Sequence, residues 1–129
     1  MDGDRRMHLA WFLGNGFGVH DWKSQWRGTA ATGLERALER ACVDYLIIED
    51  SAYVPDGYEK STRYYLQHAR AVPKHDPAVL ATVMLTATRR IGVVPTLAVT
   101  EYQPYLLARL VATLDNLSGG RAGWNIVTG

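Results

Sequence analysis

The sequence predicts an α/β fold of parallel strands in the order β-α-β-α-β-α-β, and three observations carry that expectation. Four short runs, residues 8–13, 43–49, 92–99 and 123–128, are continuously apolar rather than alternating, as strands covered on both faces are. Between them lie segments whose apolar residues recur every three or four positions, the period of a helix with one buried stripe. Start and stop residues bracket those segments where the period changes. A doubly wound open sheet and a (β/α)8 barrel share this order. A barrel needs eight strands, so four strands would make half of one.

The first run, HLAWFL at residues 8–13, is bounded by charge on one side and Gly14 on the other. The GNGFG that follows must be a loop, and residues 20–28 are a Trp-rich polar stretch without a period. In Thr32-Gly33-Leu34-Glu35 the spacing is that of a capping box, and Leu34, Ala37, Leu38, Ala41 and Cys42 then fall on one helical face. VDYLIIE, residues 43–49, is the second strand, ended by Asp50. Residues 51–74 form an irregular insertion with three Gly or Pro breaks and tyrosines at 53, 58, 64 and 65; a long excursion inside a compact domain is more often functional than a plain connector.

Asp76-Pro77 supplies an N-cap followed by proline at the first helical position, with Val79, Leu80, Val83, Met84 and Ala87 as the expected buried face. Arg89 and Arg90 are expected in the last turn, where cations suit the negative end of the helix dipole. The third strand, residues 92–99, contains Pro95 and Thr96. Pro104 opens a helix striped by Leu107, Leu110, Val111, Leu114 and Leu117, and Ser118-Gly119-Gly120 ends it, since glycine tolerates the left-handed conformation of a C-terminal cap. The last strand, residues 123–128, spends two positions on Asn125 and Thr128.

With 47% hydrophobic and 21% charged residues in 129, the composition is that of one small globular domain. A formal charge of +1 gives no broad footprint for nucleic acid or an acidic membrane. The single cysteine, Cys42, makes no internal disulfide, which fits a reducing compartment. No run is long enough to span a bilayer, and residues 1–7 lack a secretory pattern, so a cytoplasmic location is expected.

Several site chemistries are weighed. Gly14, Gly16 and Gly18 follow a strand, and Asp50 ends the next, as in a nicotinamide-dinucleotide site. The third glycine is one position early, and no helix start follows to take a pyrophosphate, so a turn near a ligand or Trp22 explains the glycines better. His8, His20, His68 and His75 are scattered without metal spacing, and Ser118 lacks a G-x-S-x-G frame. There remains a set of polar residues at consecutive strand ends: Asn15, Asp50, Thr96 to Thr100, Asn125 and Thr128. In parallel α/β architectures those ends share the rim where ligands bind, although each residue alone is equally a loop cap or a strand-end hydrogen bond.

The run LSGGRAGWNIVTG, with PYLLARLVATLDN before it, resembles the flavin-dependent monooxygenases of the bacterial luciferase-like superfamily, and more narrowly their nitrilotriacetate, dibenzothiophene-sulfone and dimethyl-sulfide monooxygenase group. The likeness is gapless from about residue 76 to 128 and looser at MHLAWFLGNGFGVHDW and VDYLIIEDS. It implies that residues 1–129 are a partial luciferase-like domain, the first four strands of a TIM (β/α)8 barrel. It also implies a two-component monooxygenase that uses reduced FMN, supplied by a separate NADH-dependent flavin reductase, and O2 to oxidise a small organosulfur or amine-type compound. By the same resemblance Asp50 in YLIIED and Thr96 in IGVVPT are flavin contacts, and Asn125 lies on the strand segment beneath the flavin. Trp11 and Trp124 are candidates for the pocket wall or for the core, and the insertion at 51–74 for part of the substrate cover.

The sequence departs from the family pattern in the region between Trp26 and Asp50, shorter by about ten residues than a typical βα unit, and at Gly129, commonly a small hydroxyl residue or Ala. It also stops at the fourth strand, short of the usual phosphate cradle near strands seven and eight. A truncated form is therefore expected, with unpaired sheet edges that favour homo-oligomers. The alternatives are a non-catalytic flavin-binding or oligomerising remnant and a nicotinamide-dinucleotide-binding α/β domain.

Overall fold

The structure, a computed structural model, describes residues 6–14, 31–68 and 71–128. Its strands are β1 (Ala10–Leu13), β2 (Tyr45–Ile48), β3 (Gly92–Ala98) and β4 (Asn125–Val127). Its helices are α1 (Ala31–Arg40), α2 (Arg63–Gln67), α3 (Pro77–Ala87) and α4 (Pro104–Ser118). The strands form one sheet in the order β1-β2-β3-β4, every pair parallel. The expected order holds, with the short α2 added inside the 51–74 excursion.

Register sorts the side chains into two faces. Leu13 pairs with Ile48, Ile48 with Pro95, and Leu97 with Ile126, so these residues point one way and their neighbours the other. Leu46, Ile48, Val93 and Leu97 are fully buried in one cluster with Leu38 of α1, Leu80, Ala81, Met84 and Leu85 of α3, and Leu107 and Leu114 of α4. Trp124 packs against the same cluster, its indole N–H donating to the Leu97 carbonyl at 2.9 Å, and so belongs to the core. The opposite face carries Phe12, Tyr45, Ile47, Val94, Thr96 and Asn125, and Phe12 is 62% exposed. Among the described residues, then, the core lies on one side of the sheet and not on two. Apolar inner residues are required both by a second helix layer and by the inside of a barrel, so the strand composition does not separate them.

The start of α3 and the end of α4 follow the local signals closely. Asp76 caps α3, accepting from the backbone N–H groups of Ala78 (2.9 Å) and Val79 (3.0 Å), with Pro77 next. Gly119 ends α4 in the left-handed conformation, φ 67°. At α1 the signal misses: the helix already includes Ala31, so Thr32 lies inside it and is not its cap, and Glu35, the expected capping-box acid, is buried and accepts the N–H of Gly33 (2.9 Å).

Helix faces differ more. α3 buries Ala78, Leu80, Ala81, Met84 and Leu85 but leaves Val79 65% and Val83 49% exposed, because a helix without a charged residue carries no contrast to orient it. On α1, Ala37 is exposed, and Ala41 and Cys42 lie beyond the helix end, Cys42 with φ 58°. On α4 the buried position near the end is Ser118, while Leu117 is 71% exposed. Arg89 and Arg90 fall after α3, and their N–H groups, with that of Ile91, donate to the Glu39 carboxylate at the end of α1.

Arg121 closes this end of the sheet. Its guanidinium donates to the carbonyls of Leu85 (2.7 Å), Ile91 (3.2 Å) and Ser118 (3.0 Å) and to the Thr88 hydroxyl (3.1 Å), joining the exits of α3 and α4 to the start of β3. Gly123 lets β4 approach, since a Cβ there would stand 2.7 Å from Val94 Cγ2.

Replacing Arg121 by Leu removes the donors of three carbonyls and a hydroxyl, and urea denaturation is expected to show a loss of about 2–3 kcal/mol; Lys restores less than half, since a point charge cannot span the fork. The three backbone N–H donors hold the Glu39 carboxyl down at about 2, from 4.5. A folded-state value below the unfolded one stabilises above the unfolded value, so this contribution is complete above about pH 4.5 and disappears as pH falls through about 2. The thermal midpoints of wild type and Glu39→Gln are accordingly expected to differ at pH 6 and converge near pH 2; a gap independent of pH would contradict the assignment.

Candidate functional site

On the face opposite the helices, β3 and β4 bring two polar side chains together. Thr96 pairs in register with Asn125, and the Asn125 amide donates to the Thr96 hydroxyl oxygen at 2.9 Å. Thr96 is buried and Asn125 half-buried. Because the hydroxyl accepts this bond, its own hydrogen is left to donate, and the Asn125 carbonyl oxygen is left to accept. The pair therefore keeps one donor and one acceptor beyond its mutual bond, the complement of an amide or imide.

Glu49 extends the polar row toward β1. Its N–H donates to the Leu13 carbonyl at 2.9 Å, so the β1–β2 ladder runs one residue past Ile48, and continuing the register sets Glu49 level with Thr96. Gly14 lies beside it, a Cβ there falling 3.9 Å from a Glu49 carboxylate oxygen. Lys74 forms an ion pair with Glu49 and donates to the Ser51 hydroxyl at 2.8 Å.

Asp50 sits at the same C-terminal end of the sheet, among different neighbours. Burial pushes its carboxyl up, the Ser51 N–H and the Lys74 charge pull it down, and the charges of Asp76 and Glu49 push it up again. Tyr102, which packs against the helix-side core, is raised chiefly by burial and further by Asp76, Glu101 and Asp50. The structure thus joins Thr96 and Asn125 directly and sets Asp50 apart from them, toward the α3 cap and Tyr102; no hydrogen bond among the described residues links it to the pair. Thr100 donates to the Thr128 carbonyl at 3.3 Å, closing the β3–β4 end. Asn15, Gly16, Gly18 and Trp22 lie outside the described residues, as do all of residues 15–30.

The profile of the Luciferase-like monooxygenase family matches residues 7–129. The chain belongs to that family. It is 42% identical over 97 residues to the dimethyl-sulfide monooxygenase of Hyphomicrobium sulfonivorans, covering 75% of this chain and 20% of that protein. It is 38% identical over 140 residues to the dibenzothiophene-sulfone monooxygenase of Rhodococcus erythropolis (strain XP), covering 99% of this chain and 30% of that one. Among solved structures, the riboflavin lyase RcaE, crystallised with modified FMN and riboflavin, matches with a TM-score of 0.82 at 26% identity, over 96% of this chain and 30% of that one. The chain therefore spans about 20–30% of the length of the relatives it matches. Its four parallel strands correspond to the N-terminal half of a (β/α)8 barrel, as the β-α order and the family resemblance lead one to expect.

Sequence reasoning reached Thr96 and Asn125 but passed over Glu49 and Lys74. Glu49 reads as the hydrophilic end of an apolar strand, and Lys74 as a lone cation in a polar loop. What singles them out is a pairing across 25 residues, which leaves no local signal.

The bond between Thr96 and Asn125 is open to a double-mutant cycle. Thr96→Val and Asn125→Leu, singly and together, are expected to show a coupling of about 0.5–1.5 kcal/mol in urea denaturation, whereas strict additivity would mean that the two side chains do not act as a pair.

Proposed function

We propose that this chain is the flavin-holding N-terminal portion of a two-component FMN-dependent monooxygenase, acting in the cytoplasm on a small organosulfur or amine-type compound. The observation that carries this reading is the donor–acceptor edge of Thr96 and Asn125 on the helix-free face of a parallel sheet. The pyrimidine side of an isoalloxazine ring offers an N–H flanked by carbonyls, which such an edge satisfies: Thr96 donates to a carbonyl and Asn125 accepts from the N–H. In this reading Asp50, at the C-terminal end of the sheet, accepts from ribityl hydroxyls. The residues present thus fit the flavin ring and chain.

Reduced FMN, delivered by an NADH-dependent flavin reductase, supplies when bound the two electrons that let one atom of O2 enter the substrate. The protein's part is to hold the ring at fixed register on rigid strands and to keep water from the reacting face. The 51–74 excursion serves as part of the substrate cover. Within it the ring of Tyr64 lies 4.7 Å from that of Tyr58 and 4.6 Å from that of His68, an aromatic stack suited to small apolar sulfur compounds.

Homo-oligomer formation belongs to the same reading and is supported by α3. Its outward stripe is Val79, Thr82, Val83 and Thr86, and both threonine hydroxyls turn back to backbone carbonyls, Ala78 at 2.9 Å and Val83 at 2.8 Å. The stripe offers methyl groups and no charge, as a self-complementary helix contact requires.

The test is flavin binding followed by fluorescence quenching and, for the reduced form, by anaerobic titration. Thr96→Val and Asn125→Leu are each expected to weaken FMN binding about fivefold to tenfold, the worth of one buried hydrogen bond. Wild-type chain that fails to bind FMN at millimolar concentration, or both variants binding as wild type does, would refute the proposal.

A further inference from the structure

The excursion at residues 51–74 leaves the sheet after Asp50 and returns just before the α3 cap, and one side chain joins its two ends. Lys74 donates to the Ser51 hydroxyl at 2.8 Å and forms an ion pair with Glu49. Its side chain is 8% exposed, while that of Glu49 is 33% exposed. A nearly buried ammonium persists only if its desolvation is offset by partners in good geometry, so this contact is held firmly. Both ends of the contact matter. Ser51 is the first residue of the excursion, and Glu49, the residue just after β2, stands level with Thr96 when the register is continued.

Among the described residues of the excursion, backbone bonds of short range recur. Ser61 donates to Tyr58, Leu66 to Thr62 and His68 to Tyr64, all within α2 or the turn before it. The rings of Tyr58, Tyr64, Tyr65 and His68 pack on one another. Such a unit is packed by its own side chains, and Lys74 ties its two ends to the end of β2.

We propose that Lys74 is a positioning residue: by bridging Ser51 and Glu49 it locks the neck of the tyrosine-rich excursion to the polar row of Glu49, Thr96 and Asn125, so that the cover and the ligand-bearing face are held as one unit. The part of this inference that concerns ligand rests on the flavin reading above; the clamp itself does not. Charge is essential to it, because Glu49 must be held as well as Ser51, and Arg at position 74 is expected to serve where Met does not.

Amide hydrogen exchange on the 129-residue chain tests the clamp without any ligand. In Lys74→Met the amides of Ser61, Leu66 and His68 are expected to exchange about tenfold faster, while those of Val93 and Gly123, bonded between β3 and the segment entering β4, keep their wild-type rates. Lys74→Arg should return the excursion to within about twofold of wild type. Ser51→Ala, which removes one contact and no charge, should give a rise of about threefold confined to the same amides, and it decides the matter if Lys74→Met does not fold. Unchanged exchange in the excursion, or equal acceleration at Val93 and Gly123, would overturn the clamp. A second arm measures FMN affinity: Lys74→Met is expected to weaken it about fivefold and Lys74→Arg to restore it. Raised exchange with unaltered FMN affinity would overturn the coupling to the ligand face. Wild type that binds no FMN would refute the flavin reading, leaving exchange to decide the clamp.

Discussion

Parallel pairing in one fixed register is the constraint on which the rest of this structure depends. Side chains alternate along a strand, so a slip of one residue between β3 and β4 would carry Asn125 away from Thr96 and turn one of them toward the helices. The register is held from the other face. Leu46, Ile48, Val93 and Leu97 are buried against α3 and its neighbours, and exposing that set would forfeit roughly 1.5–3 kcal/mol for each side chain. The core thereby places polar atoms on a face that it does not touch.

That division explains why the element order was legible in the sequence while several faces were not. Strands announced themselves by continuous apolar runs, and helix starts by Asp76-Pro77 and Pro104, all of which are local signals. Which side of a helix is buried is legible only when polar residues mark the other side. α3 has none that are charged, and its stripe turned out to run through Ala78, Ala81 and Leu85 with Val79 and Val83 outside. The strands posed the same difficulty across the sheet. Ile47 and Val94 look like contacts for a second helix layer, yet they belong to the face without one.

The residues that sequence reading passed over share a different property. Arg121 reaches back to Leu85, Glu39 forward to Arg90, and Lys74 back to Glu49 and Ser51. Each is a charged side chain that satisfies groups more than twenty residues away, and neither partner carries a mark of the pairing. Arg121 is the clearest case. Within SGGRAG the glycines explain the turn so well that the arginine reads as solvated, whereas its guanidinium ties two helix exits and a strand start. Turn chemistry is encoded nearby; closure of the sheet's N-terminal edge is encoded by one long side chain that the turn brings into reach.

The acids at the opposite end of the sheet show how the same fold engages some carboxylates fully and others less. Asp76 spends its carboxylate on the first N–H groups of α3, where the positive end of the helix favours an anion. Glu49 is matched by Lys74. Asp50 is left with the Ser51 N–H and the more distant field of Lys74, against burial and two neighbouring anions that disfavour its charge. Of the three it is the one whose ionised form gains most from additional donors. In the flavin reading proposed above, the ribityl hydroxyls are such donors. In that reading Asp50 at the rim and the neutral Thr96–Asn125 pair therefore carry separate parts of the contact, one through charge and the other through hydrogen-bond pattern alone.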